Sequence, residues 1–149
     1  MTRDKIRYIP MDERDRVFFI HVHHAAYRDT IEAMFGWDEG MQDKHASRAF
    51  DDGGLNIVWY DDERVGVVGW EDRGDCLWLK ELFLLPKYQG CGIGSQIVQD
   101  SIQRAQSLEK DVRLRTLKAN VRAKKLYERH GFEVTSVTDI HCNMSFPFA

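Results

Sequence analysis

Residues 82–94 read Leu82-Phe83-Leu84-Leu85-Pro86-Lys87-Tyr88-Gln89-Gly90-Cys91-Gly92-Ile93-Gly94. The apolar run is the end of a strand that begins at Cys76, and Pro86 stops it, because proline cannot donate to a ladder. Gly90, Gly92 and Gly94 then separate this strand from a helix. Periodic apolar residues Ile97, Val98, Ile102 and Ala105 carry that helix from Ile93 to about Leu108. Glycine lets a ligand approach the main chain. Amides at a helix start, aided by the helix dipole, attract anions, and successive amides in a tight loop form a nest for phosphate oxygens. A pyrophosphate is the natural guest of such a loop.

The two commoner nucleotide patterns fail here. A dinucleotide fingerprint GxGxxG counted from Gly90 reaches Ser95 where glycine is required, and from Gly92 it reaches Ile97. The GxxxxGK[ST] loop fails because Ser95 follows Gly94 with no lysine between them.

Outward from this stretch, the chain alternates strands and helices. Lys5–Ile9 reads as a strand ended by Pro10. Asp12 is a helix N-cap, with the helix running to about Thr30; Val17, Ile20, Ala25 and Ile31, interleaved with Phe18, Phe19 and Val22, give it a broad buried face. Phe35-Gly36-Trp37-Asp38 is a break before a second helix, Glu39–Phe50. Leu55–Tyr60 and Arg64–Glu71 form a hairpin about Asp61-Asp62-Glu63. After the turn Arg73-Gly74-Asp75 come the strand Cys76–Leu85, the loop and its helix. A strand Val112–Leu117, a helix Val121–His130 closed by Gly131, and strands Phe132–Val137 and Ile140–Phe146 complete the chain. The order β-α-α-β-β-β-α-β-α-β-β predicts an α/β or α+β layered sheet. The segment Cys76–Leu117 predicts a parallel strand pair with a right-handed crossover.

The 149 residues suit one domain spanning 1–149 with its own core. Hydrophobic residues make up 43% and charged residues 30%, and the net charge is -3. These values predict a soluble chain and give no electrostatic case for nucleic acid or membranes. Cys76, Cys91 and Cys142 are odd in number and form no CxxC pair, so neither a disulfide framework nor a zinc ribbon is expected. Met1-Thr2-Arg3-Asp4-Lys5 leads into a polar segment without a signal-peptide core. No window reaches the roughly 18 apolar residues of a membrane span. A cytoplasmic location follows as an expectation.

The spacing Gln89-x-x-Gly92-x-Gly94 resembles the phosphate-loop signature of the GNAT N-acetyltransferase family, [RQ]-x-x-G-x-[GA]. A second stretch, Asn120-Val121-Arg122-Ala123-Lys124-Lys125-Leu126-Tyr127-Glu128-Arg129-His130-Gly131-Phe132, resembles that family's N-x-x-A-x-x-L-Y-x-x-x-G-F. The order of elements is also similar, so the resemblance covers nearly the whole chain and is strongest from Leu79 to Phe132. It implies the GNAT fold, a mixed and mostly antiparallel sheet whose fourth and fifth strands are parallel and splay apart.

The resemblance further implies acetyl-CoA as donor. Its pantetheine arm would pair with the main chain of Leu82, Phe83 and Leu84. Its pyrophosphate would lie on the amides from Gly90 to Ser95 with Gln89 alongside, and Asn120 and Ala123 would sit near the thioester. The implied reaction is direct attack of an amine on the thioester, with no metal and no acyl-enzyme on Cys91. A lysine-type amine has a pKa near 10.4 and arrives protonated, so a base is needed. Tyr127 is the implied proton donor to the leaving thiolate. Glu81, Glu71 and a relayed water are the candidates for the base; because neighbouring residues face opposite sides of a strand, Lys80 and Glu81 cannot both point inward.

The acceptor wall in this family comes from the end of the first helix and the loop after it. That makes His24, Tyr27, Arg28, Trp37 and the Gly36 loop candidate substrate contacts, with His141 possible from the last strand. His21, His23 and His24 could also bind a metal or act as bases, against the simpler reading of a polar lining. Trp70 reads as core. The basic run Arg113, Arg115, Lys118, Arg122, Lys124 and Lys125 reads as a solvated face or as attraction for the cofactor's adenosine phosphates. The competing reading is a CoA-binding sensor of the same fold without catalysis. The acceptor amine has no recognisable motif, and monomer and homodimer both stay open.

Overall fold

The computed structural model describes residues 5–149. Met1–Asp4, on which the expectation of a polar start rests, lie outside the described residues. The elements are β1 (Ile6–Pro10), α1 (Arg16–Phe35), α2 (Glu39–Asp52), β2 (Leu55–Tyr60), β3 (Glu63–Asp72), β4 (Cys76–Leu84), α3 (Ile93–Ser107), β5 (Asp111–Leu117), α4 (Val121–Arg129), β6 (Glu133–Val137) and β7 (His141–Phe146). The strands form a seven-stranded sheet in the order β1-β2-β3-β4-β5-β7-β6. The β4–β5 pair is parallel, and β1–β2, β2–β3, β5–β7 and β6–β7 are antiparallel. The mixed, mostly antiparallel sheet with a parallel β4–β5 pair, which the family resemblance implies, is therefore present.

The chain divides into two compact units, one comprising the residues up to Gly69 together with Glu81–Cys91, the other Trp70–Lys80 together with Gly92–Ala149. In the first unit, α1 starts later and runs further than its sequence suggests. Asp12 does act as a cap, but of a 3-10 turn at Glu13–Asp15; its carboxylate accepts from Arg14 N, and the Asp15 carboxylate accepts from Asp12 N at 2.9 Å. The helix proper continues past Thr30 to Phe35 and stops where Gly36 takes φ 79°. Asp38 caps α2 by accepting from Met41 N at 2.9 Å.

The buried face of α1 is narrower than expected. Phe19, Val22 and His23 are buried, whereas Val17 is 79% exposed. The core of this unit joins Phe19, Val22, Ala46, Leu55, Val67 and Phe83. Strand β3 is buried from Val65 to Gly69, which explains its unbroken apolar reading. The β2–β3 register shifts at Val58/Trp59: Val58 faces Gly66 but Trp59 faces Arg64, so Val65 is an extra, bulged residue.

In the second unit, α3 buries Ile93, Ile97, Val98, Asp100, Ser101 and Ala105. Ile102 is only partly buried; Ser101 takes the inner position, accepting from Trp70 Nε1 at 2.9 Å and donating to the Ile97 carbonyl at 2.8 Å. Val112 and Leu114 of β5 alternate with Cys142 and Met144 of β7 as the buried set. Tyr127, Phe132 and Phe146 stack in sequence, with ring centroids 5.6 Å apart at each step. Gly131 takes φ 95° just beyond α4, the left-handed position its residue type suits. Trp70 is half-buried rather than core, and the Arg104 guanidinium lies 3.9 Å from its ring centre.

His23 has a consequence for stability. It is 8% exposed, its Nδ1 has no hydrogen-bond partner, and burial, helped by the nearby His24 and His45, pushes its pKa down to about 4. Below pH 6.5 the unfolded chain accepts a proton that folded His23 refuses. Stability should therefore be full above pH 6.5 and fall by about 3 kcal/mol on going to pH 4, with no further loss from this residue below that. Denaturant midpoints across this range check the expectation. A His23→Leu chain should show a correspondingly shallower fall.

Candidate active site

The loop after β4 is built by its own main chain. In the first unit, Tyr88 N donates to the Leu85 carbonyl at 2.8 Å and Gln89 N to the Pro86 carbonyl at 3.2 Å, closing a 3-10 turn over Pro86–Tyr88. The Gln89 side chain donates through Nε2 to the Leu84 carbonyl at 2.9 Å, which ties the loop to the end of the strand. The family resemblance implies Gln89 at the flank of a pyrophosphate; in the structure its amide is bonded within the loop's own unit. Gly90 takes φ 74°, and the exposed Cys91 thiol donates to the Tyr88 carbonyl at 3.0 Å.

In the second unit, Gly92 at φ 94° is the N-cap of α3, and no side chain caps that helix. The first-turn amides of Ile93, Gly94 and Ser95 have no acceptor within the helix by its geometry. No acidic residue occupies the first turn. A helix start without a carboxylate is suited to an external anion.

Strand β4 contributes Leu82, Phe83 and Leu84 within the first unit. Phe83 is 2% exposed and points into the core, so by alternation Leu82 and Leu84 share the opposite face and are half-buried. Three rings of α1 meet Phe83: Phe19 at 6.0 Å, His23 at 5.7 Å and Tyr27 at 4.7 Å between centroids. The structure thus brings the acceptor candidate Tyr27 against a strand residue assigned to the donor. Glu81 is half-buried on the same strand.

Around the α1–α2 connection, His24 stands edge-on to Trp37 at 5.1 Å, and Arg28 lies 5.1 Å over the other ring's centre. Glu39 Oε1 is 3.5 Å from His24 Nδ1 and Asp43 Oδ1 is 3.3 Å from Nε2. The second oxygen of Glu39 accepts from Trp37 Nε1 at 2.5 Å. Potential ligand atoms of His24, Glu39 and Asp43 lie within 4.8 Å of one another. Each carboxylate sits against a different ring nitrogen of His24, and one ring nitrogen at most serves a metal. The Nε2–Asp43 approach is a close charge contact without hydrogen-bond geometry, because Nε2 has no hydrogen-bond partner. His21 is exposed and joins neither group.

The second unit holds the remaining residues. Asn120 caps α4, its Oδ1 accepting from Ala123 N at 3.1 Å. Tyr127 is 7% exposed on the same helix. Glu71 accepts from Arg73 at 2.8 Å and lies 3.8 Å from Lys80 Nζ; the Arg73 hydrogen bond holds its carboxyl below the usual range. That makes Glu71 a weak base. Lys80 is turned toward Glu71 with its side chain only 12% exposed. In the basic run, Arg113 is paired with Asp75 at 3.0 Å and Asp111 at 3.3 Å, and Lys124 approaches Glu128 at 4.0 Å. His141 is half-buried, with its pKa lowered by burial and then by Arg115.

Sequence reading missed the carboxylates about His24. Their only signal was the i, i+4 spacing of Glu39 and Asp43 on α2, which puts both on one face. It also missed Gly66, which reads as one more small residue in an apolar strand.

The sequence matches the model of the acetyltransferase (GNAT) family over residues 18–132. Among curated proteins, none matches it. Solved structures share the fold at low identity. The protein PH1933 of Pyrococcus horikoshii OT3 superposes with a TM-score of 0.77 at 19% identity, over 95% of this chain and 98% of that one. The PaiA N-acetyltransferase of Thermoplasma acidophilum, solved in complex with coenzyme A, gives 0.76 at 15% identity, over 99% and 100%. The ribosomal-protein-S18-alanine N-acetyltransferase of Escherichia coli gives 0.72 at 16%, over 97% and 94%. With the family model covering well over half of the chain and the sheet order and helix placement in accord, this protein belongs to the GNAT acetyltransferase family.

Proposed function

We propose that the chain, acting as one catalytic domain, transfers an acetyl group from acetyl-CoA to a primary amine by direct attack. The observation that carries this reading is the uncapped, acid-free N-terminus of α3 directly after the glycine loop, in a chain of this family. The amides of Ile93, Gly94 and Ser95, with the loop residues Gln89, Gly90, Cys91 and Gly92, hold the pyrophosphate. Main-chain groups of Leu82, Phe83 and Leu84 pair with the pantetheine arm in the manner of an added strand. Asn120 and Ala123 lie near the thioester. Coenzyme A in the crystals of the Thermoplasma relative supports this donor.

The amine nitrogen attacks the thioester carbonyl, forming the C–N bond as the C–S bond breaks. Tyr127 gives its proton to the departing thiolate. Glu81 takes the amine proton, directly or through water; Glu71 is the poorer choice because Arg73 and Lys80 already stabilise its charge. His24, Tyr27 and Trp37 line the acceptor side. Three free cysteines suit a reducing, cytoplasmic setting for the enzyme.

Calorimetric titration should show acetyl-CoA binding in the micromolar range, with no binding of NAD or ATP. An absence of acetyl-CoA binding overturns the proposal. Release of free CoA thiol on a panel of primary amines then separates an enzyme from a binding-only sensor.

Tyr127→Phe should lower kcat by about a hundredfold, the usual scale for a lost proton donor, while the acetyl-CoA Kd stays within about twofold. Unchanged turnover would leave Tyr127 a packing residue.

Asn120 has two separable tasks. Asn120→Asp keeps a cap oxygen and should hold the thermal midpoint, whereas Asn120→Ala should cost about 1 kcal/mol. If the Asn120 amide also donates to the arm, both variants weaken acetyl-CoA binding to a similar degree.

A further inference from the structure

The strongest feature outside the residues already assigned is the way β3 holds the end of β4, within the first unit. Gly66 follows the bulged Val65. A Cβ added to Gly66 would overlap the Phe83 carbonyl oxygen and would meet Leu84 Cδ2 at 2.9 Å and Leu84 Cα at 3.1 Å. Two of these neighbours are main-chain atoms, which cannot swing aside as a side-chain tip can. The carbonyl of the bulged Val65 accepts from Leu85 N at 3.0 Å. One residue earlier, the Leu84 carbonyl accepts from Gln89 Nε2. Consecutive main-chain groups of Phe83, Leu84 and Leu85 are therefore each placed by a different neighbour: a missing side chain, a side-chain amide and a bulge carbonyl.

We infer that Gly66 is a positioning residue for acyl-donor binding, setting where the Phe83–Leu84 main chain lies while Gln89 and the Val65 bulge hold the next groups in line. The inference rests on the donor reading above, in which that main chain pairs with the pantetheine arm. Its physical basis is the strict geometry of strand-like pairing. Hydrogen bonds weaken steeply once distance and angle depart from a narrow range, and a displacement of about 1 Å in a positioned group can cost a hundredfold in rate. Beta-bulges are found where a strand must be re-aimed next to a site, and here the bulge and the glycine are adjacent.

The test compares wild type, Gly66→Ala and Gln89→Leu as full-length chains, with calorimetry and kinetics on acetyl-CoA and on S-acetyl-pantetheine. The shorter donor lacks the nucleotide and its phosphates. Gly66→Ala should raise the acetyl-CoA Kd and KM by about tenfold or more, with the acceptor KM within about twofold. Gln89→Leu removes the amide donor at similar size and should give a smaller loss. The Gly66→Ala loss should be equal for acetyl-CoA and S-acetyl-pantetheine, because the arm is common to them; the Gln89→Leu loss should persist in part with the shorter donor, because Gln89 ties Leu84 as well as flanking the pyrophosphate. Amide exchange at Phe83, Leu84 and Leu85 should quicken in both variants. If Gly66→Ala fails to fold, Gln89→Leu tests the same held main chain: no loss at all with the shorter donor would show that the placing of Leu84 does not bear on the arm and would overturn the positioning role, whereas a loss with both donors supports it. Normal donor binding by folded Gly66→Ala would also overturn it. Failure of the wild type to bind acetyl-CoA would instead sink the donor reading, so the two outcomes are distinct.

Discussion

Burial of Phe83 is the constraint on which the first unit depends. Its ring is 2% exposed and meets Phe19, His23 and Tyr27 of α1 edge-on or tilted. Burying such a side chain contributes roughly 1.5–3 kcal/mol, and aromatic pairing adds about 0.5–1.5 kcal/mol. The same contact fixes the rotation of β4. With Phe83 inward, Leu82 and Leu84 must face the other way, and the main-chain groups of this segment are presented at a set angle. It also fixes α1, because Tyr27 and His23 are one helical turn apart and both rest on the same ring. Residues assigned to the two substrates are thus positioned by a single packed side chain.

The polar groups follow from this frame. Helix α1 runs on to Phe35 because nothing interrupts it before Gly36, so His24 and Arg28 are carried up to the α1–α2 connection. There Trp37, Glu39 and Asp43 close around His24. One residue earlier on the helix, His23 has no such company and stays neutral in an aromatic setting. In the second unit Arg113 is paired with two aspartates, Asp75 and Asp111.

The start of α3 shows the opposite economy. Two of the four α-helices among the described residues are capped by a side chain, α2 by Asp38 and α4 by Asn120, and α1 continues from a 3-10 turn that Asp12 caps. Helix α3 begins at a glycine in the left-handed region, with no side-chain cap. A helix start that leaves its amides to a ligand is a cost in stability that a phosphate repays.

Much of this was legible from sequence. The loop Gln89–Gly94, the cap Asp12, the glycine Gly131 that closes α4 and the strand pattern are local matters, governed by backbone torsions and by neighbours within a few residues. Sequence also determined the family, since two motifs stand at fixed places along one element order. Other features required the tertiary structure. Val17 looks apolar and periodic but lies on the solvent side of α1, because the position of Phe83 chose which face was buried. Glu39 and Asp43 meet His24 only because α2 folds back beside α1. Gly66, on β3, meets the main chain of Phe83 and Leu84 on the following strand. These pairings are set by where packed elements cross, and no local pattern of torsion, charge or spacing encodes that crossing.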